Sequence, residues 1–228
     1  MEYSNLTNKS NIFLKRFTHS ARHTRCSNII NGIKFKTFLD FGTGDGQFFQ
    51  FLNIKPKIRY FAYEPYVKMY KQFLKNQKNF KNINLITNKN KLKKNFYDVI
   101  IVNEVLEHLP NKKIFEVIKI IKYITKKNST IIISVPIEVG FSSLIKNSIR
   151  IFFNSIHEGL TFKNLIKSIF IQKISRGNKK YFKSHIGFNH YELKEILENH
   201  FSIISISYTP FNFLKNFLNS QVFFICKL

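Results

Sequence analysis

Three glycines at alternate positions, Gly42, Gly44 and Gly46, follow the buried-strand pattern Thr37-Phe38-Leu39-Asp40-Phe41 in this 228-residue chain. Glycines spaced in this way turn tightly with positive φ and let bare backbone approach a ligand, and Gln47 to Leu52 reads as the helix that follows. The stretch therefore points to a Rossmann-like nucleotide site. It is not a dinucleotide fingerprint, because the third small residue would fall at position 47, which is Gln. A second apolar run, Ile58 to Tyr63, ends in Glu64, 18 residues after Gly46. A carboxylate at the carboxyl end of a second strand can accept hydrogen bonds from both ribose hydroxyls.

The order Asp40-x-Gly42-x-Gly44-x-Gly46 resembles motif I of class I S-adenosylmethionine (SAM) dependent methyltransferases, and further pieces of that family's pattern follow in sequence. Ile83 to Thr87 is a third strand candidate, and Asn88 stands where many relatives carry an acid near the adenine. Its side-chain carbonyl could accept an adenine amino proton. Tyr97 to Leu109 is similar to the motif IV region of small-molecule methyltransferases, ending in Glu104-Val105-Leu106-Glu107-His108-Leu109. The resemblance implies SAM as cofactor, contacted by Asp40, Gly42, Gly44, Gly46, Glu64, Asn88 and Asn103. In that reading Asp40 orders the loop and meets the methionine amino group, and the segment after Val102 walls the reacting centre.

Methyl transfer from a sulfonium is an in-line displacement, so alignment is the protein's main task. An oxygen acceptor must also shed a proton, and the candidate bases are Glu107, His108 and His185. The run His185-Ile186-Gly187-Phe188 resembles the segment that closes the acceptor pocket in lipid-quinone and sugar methyltransferases. The spacing Glu104-x-x-Glu107-His108 resembles a divalent-cation cluster of ubiquinone-pathway O-methyltransferases, but many relatives with this ending use no metal. A metal-free site is therefore the expectation, with Glu104, Glu107 and His108 as the alternative ligand set. The implied acceptor is a hydroxyl of a sugar or glycan, a lipid-linked compound or a quinone precursor. The alternatives are an RNA methyltransferase and an inactive Rossmann-like binding protein. Neither the Pro-Pro-Tyr signature of amine methylation nor a Pro-Cys pair for attack on cytosine occurs.

These residues require a scaffold, and from 37 to 135 strand patterns alternate with helical ones, the signature of a parallel sheet with helices on both faces. Ile114, Val117, Ile118 and Ile121 follow helical spacing, and Ser129 to Val135 reads as a fifth strand. The expected fold is α/β, a Rossmann-like seven-stranded, mostly parallel sheet in one domain. Residues 1–36 would form a helical cap, 37–135 the SAM-binding core, 136–188 a helical insertion or lid, and 189–228 a helix and two strands with the last reversed. In the cap, Arg16, His19, Arg22 and His23 recur at helical spacing, so they form a solvated basic face, or Arg22 and His19 line the substrate mouth.

The net charge of +24 would ordinarily suggest nucleic acid, but it comes from 31 Lys against 6 Arg. Bidentate recognition of phosphates and bases leans on Arg, so the composition argues against a nucleic-acid partner. Residues 140–190 hold nine basic residues and one acid, with two apolar stripes at helical spacing. They read as a lid, as a cover for the sheet edge, or as a peripheral contact with anionic lipid. Cys26 and Cys226 sit near opposite ends with no ligand or disulfide framework, and no leader or spanning run stands out, so a cytoplasmic location is expected.

Overall fold

A computed structural model of the protein describes residues 13–76, 82–140, 176, 180–185 and 187–228. In chain order the elements are α1 (Phe13–Asn31), β1 (Thr37–Phe41), β2 (Arg59–Tyr63), α2 (Val67–Asn76), β3 (Ile83–Ile86), β4 (Tyr97–Asn103), α3 (Asn111–Ile124), β5 (Thr125–Pro136), α4 (His190–Glu198), β6 (Ser202–Thr209) and β7 (Gln221–Lys227). The strands form one seven-stranded sheet in the order β3-β2-β1-β4-β5-β7-β6. β1 runs parallel to β2, with Asp40 opposite Ala62, and to β4, with Asp40 opposite Ile101. β2 in turn pairs in parallel with β3. The sheet is mixed: the Ser220 N–H, just before β7, donates to the Thr209 carbonyl at the end of β6, as antiparallel neighbours do. The expected Rossmann-like sheet with helices is therefore the fold of the chain.

By compactness the chain divides into two units, Met1–Asn103 with Ile120–Ile132 and Lys227–Leu228, and Glu104–Lys119 with Ile133–Cys226. In the first unit β1 is buried along its whole length, Thr37 and Asp40 included, with Phe38, Leu39 and Phe41 supplying its apolar contacts. Phe38 packs edge-on against Phe49, and Phe49 against Phe73. Full burial of such a side chain is worth about 1.5–3 kcal/mol. The β1–β4 register is pinned at its start by Asp98, whose Oδ2 accepts from the N–H groups of Lys36 and Thr37 at 3.0 Å each and from Thr37 Oγ1 at 2.9 Å. Lys126 Nζ holds the other oxygen at 3.0 Å. In the second unit Leu193 and Leu197 of α4 are buried, as are Phe223 and Phe224 of β7. Asn189 caps α4 as expected, its Oδ1 accepting from the Tyr191 N–H at 3.0 Å.

The structure revises several element boundaries. The helix expected at Gln47 to Leu52 is a short 3₁₀ helix, Gln47–Phe51. β5 begins at Thr125, four residues before the expected Ser129, because Lys126 to Asn128 are exposed and carry no apolar signal. Phe17 of α1 is exposed. The face α1 buries is Arg22, His23, Cys26, Ser27 and Ile30, which recur at helical spacing but are mostly polar. The helical insertion expected at 136–188 falls mainly on residues outside those described, as do the side chains of Arg16 and His19.

Candidate functional site

The first unit carries the glycine loop. Gly42, Gly44 and Gly46 all adopt left-handed backbone, at φ 80°, 61° and 78°. The N–H groups of Gly42 and Thr43 donate to the Tyr63 carbonyl at 2.8 and 3.1 Å, which ties the loop to the end of β2. At the next residue Glu64 continues the clamp: Oε2 accepts from the Gly44 N–H at 2.9 Å and Oε1 from the Tyr66 N–H at 2.8 Å. Glu64 is thus first a builder of the loop, and each oxygen has a second lone pair for another donor. A Cβ added to Gly44 would meet no heavy atom within 4 Å, so the loop presents bare backbone there.

Asp40 sits beneath the loop, only 2 % exposed, and accepts from Thr43 Oγ1 at 2.8 Å. Burial pushes its pKa up to about 7, offset in part by the Thr43 bond and reinforced by the charge of Glu64. Glu64 is itself raised by burial, against the two backbone N–H bonds. Two buried carboxylates that resist ionisation together are suited to a cationic ligand. Asp45, which the sequence reading passed over, accepts from the Gln47 N–H at 3.2 Å and starts the 3₁₀ turn.

α1 is fastened over that turn. Ser27 Oγ donates to the Phe51 carbonyl at 2.7 Å, and His23 stacks on the Phe51 ring at 4.8 Å. Asn103, at the end of β4, exchanges contacts of 3.6–3.7 Å with Cys26 Sγ. Burial drives the Cys26 thiol up to about 12, partly offset by Asn103. Asn88 is exposed, and its Oδ1 already accepts from the Asn90 N–H at 2.9 Å. It therefore acts as a local cap on the next turn.

The second unit holds the titratable cluster. Leu106–His108 form a 3₁₀ turn in which Glu107 is fully buried. His108 Nδ1 lies 2.6 Å from the Phe182 carbonyl, and the Phe182 N–H donates back to the His108 carbonyl at 2.8 Å. A carbonyl only accepts, so Nδ1 carries the proton and Nε2 keeps its lone pair. Burial lowers the His108 pKa, opposed by the Phe182 bond and by Glu104. His185 Nδ1 stands 3.6 Å from Glu107 Oε1, and its ring meets that of His108 edge-on at 4.8 Å. Arg176 holds the segment in place by donating to the Ser184 carbonyl at 2.8 Å and lying over the Phe182 ring at 4.0 Å.

One ligand atom from each of Glu107, His108 and His185 falls within 4.8 Å of the others. Glu104, the first member of the alternative metal set, is not in that trio. Its backbone is left-handed at φ 56°, and its carboxylate is bonded by Gln221 Nε2. The sequence spacing grouped Glu104 with Glu107 and His108, and the structure brings His185 to them instead.

The sequence profile of a family described as "Methyltransferase domain" matches residues 16–168. The chain belongs to that methyltransferase family. No curated protein matches the sequence. Among solved structures, a SAM-dependent methyltransferase from Archaeoglobus fulgidus is similar with a TM-score of 0.62 at 17 % identity, covering 100 % of both chains. The PH0226 protein of Pyrococcus horikoshii OT3 is similar with a TM-score of 0.65 at 13 % identity, over 100 % of this chain and 98 % of its own. A Burkholderia thailandensis 1,6-didemethyltoxoflavin-N1-methyltransferase, determined with S-adenosylhomocysteine bound, reaches a TM-score of 0.57 at 12 % identity, over 99 % of this chain and 84 % of its own. At these identities the likeness is one of fold.

Proposed function

We propose that the protein transfers a methyl group from SAM to a hydroxyl of a small or medium acceptor, of the sugar, lipid-linked or quinone type. The donor half of this reading rests on the Gly42-Gly46 loop with Glu64 beneath it. Bare backbone at Gly44 suits close approach of the cofactor, and the second lone pairs of Glu64 suit ribose hydroxyls. Bound there, SAM would supply an electrophilic methyl on a cationic sulfur. The buried pair Asp40 and Glu64 would favour that positive charge and the ammonium of the methionine part.

The acceptor half rests on a single observation, the 3.6 Å approach of Glu107 Oε1 to His185 Nδ1. A buried carboxylate beside one ring nitrogen holds the imidazole with that nitrogen protonated, leaving Nε2 to accept a proton from a hydroxyl. As the oxygen attacks, its proton passes to His185, and the imidazolium so formed is stabilised by Glu107. His108, locked to the Phe182 carbonyl, keeps its Nε2 lone pair to accept from a second, neighbouring hydroxyl of the acceptor. The trio's spacing favours a second reading in which Glu107, His108 and His185 hold a divalent cation that acidifies the acceptor hydroxyl. Two imidazoles and one carboxylate suit Mn²⁺, Fe²⁺ or Zn²⁺ better than Mg²⁺.

The test is transfer of labelled methyl from SAM to a panel of catechol, sugar-nucleotide and lipid-linked glycan acceptors. On an active acceptor His185→Ala and Glu107→Gln should each lose about 10²- to 10⁴-fold in turnover while keeping S-adenosylhomocysteine affinity. Undiminished turnover in His185→Ala would sink the acceptor half.

A further inference from the structure

The connection between β6 and β7 carries a feature that methyl transfer does not use. Over residues 211–218 the side chains of Phe211, Phe213, Phe217 and Leu218 are all exposed, Phe213 by 79 %. Leaving large apolar side chains in water forgoes the stabilisation that burial would give, and clustering them on one short connection marks a contact surface.

The connection is also built to hold them out. Asn219 is buried, its Oδ1 accepting from the Phe211 N–H at 2.7 Å and its Nδ2 donating to the carbonyls of Phe211 and Lys215 at 2.7 and 2.5 Å. Asn212 Oδ1 accepts from the Tyr208 N–H at 2.8 Å, and Asn216 Nδ2 donates to the Tyr191 hydroxyl at 2.8 Å. Lys215 stands exposed among the aromatic groups, and no acid occurs in the sequence after Glu198. Apolar side chains around a lysine, on a chain of net charge +24, complement an apolar interior roofed by negative headgroups.

We propose that the β6–β7 connection is a wedge that seats the protein on an anionic lipid surface, with Phe211, Phe213 and Leu218 entering the headgroup boundary and Lys215 meeting lipid phosphates. This places the membrane contact on a different segment from the basic stretch 140–190 singled out by composition. It is independent of the methyl-transfer reading, because transfer to a soluble acceptor does not require it.

The chain contains no Trp, so Phe213→Trp gives a single reporter at the tip. On mixed phosphatidylcholine–phosphatidylglycerol vesicles its emission should shift to the blue and be quenched by brominated lipid chains. Pure phosphatidylcholine should give a much weaker response. In sedimentation Phe213→Asp should weaken binding to the mixed vesicles about 10- to 100-fold, with an unchanged melting temperature and unchanged transfer to a soluble acceptor. Three results would overturn the proposal: no binding of wild-type protein, equal binding by Phe213→Asp, or unshifted Trp emission while the protein sediments with vesicles. Self-association that Phe213→Asp abolishes would also overturn it, by assigning the surface to a second copy.

Discussion

Replacing Asp40 by Asn should change how the stability of the fold depends on pH. Asp40 is buried, and its pKa is moved from 3.8 to about 7, chiefly by loss of hydration. A carboxyl raised in this way binds its proton more tightly folded than unfolded. Its favourable contribution is complete below the unfolded value near 3.8 and is lost as pH rises toward 7. At about 1.4 kcal/mol per pH unit over that interval, ionised Asp40 costs the unliganded fold up to about 4 kcal/mol by neutral pH. Asparagine has nearly the same shape and can still accept from Thr43 Oγ1 through its carbonyl, but it cannot ionise. Asp40→Asn should therefore gain stability relative to wild type across this interval, and with about 2–4 °C in Tm per kcal/mol the two melting curves should separate by up to about 15 °C. The assay is thermal unfolding of both proteins, without ligand, from pH 4 to pH 8, reported as the difference so that other titrating groups cancel. Parallel curves would refute the reasoning, as would a difference that shrinks toward pH 8.

Other residues give separate tests. Asp98→Ala removes the common acceptor of Lys36, Thr37 and Lys126, and should lose about 2–4 kcal/mol by denaturant unfolding while leaving S-adenosylhomocysteine affinity unchanged. Asp98 is lowered because Lys126 and the Lys36 and Thr37 donors together outweigh its partial burial, so its contribution should fade as pH falls through the acidic range, the reverse of Asp40. Cys26 and Cys226 are both buried with thiols pushed up to about 12, so a thiol reagent should find neither in the native protein at pH 8 and both after unfolding in denaturant.

How much of this was legible in the sequence depended on how local each signal was. The glycine loop was readable because positive φ and bare backbone are properties of single residues, and because Phe38, Leu39 and Phe41 mark the buried strand that leads into it. Glu64 was placed correctly at the end of β2, but its double hold on Gly44 and Tyr66 is a matter of folded geometry. α1 hid its buried face because Arg22, His23 and Ser27 are polar, and hydrophobic periodicity cannot register them. Glu104 was grouped with Glu107 and His108 by resemblance, whereas its bond with Gln221, 117 residues away, is one that no local pattern encodes. His185 joins Glu107 and His108 through the Phe182 and Arg176 contacts, which no local pattern encodes.

Calorimetric titration with S-adenosylhomocysteine tests most directly whether the glycine loop is a SAM site. Wild-type protein should bind with micromolar affinity. Glu64→Ala should lose binding with the ribose acceptor and the clamp on the Gly44 N–H, and Gly44→Val should lose it because a branched side chain at φ 61° would cover the bare backbone. Absence of binding by folded wild-type protein, or equal binding by all three proteins, would contradict the claim.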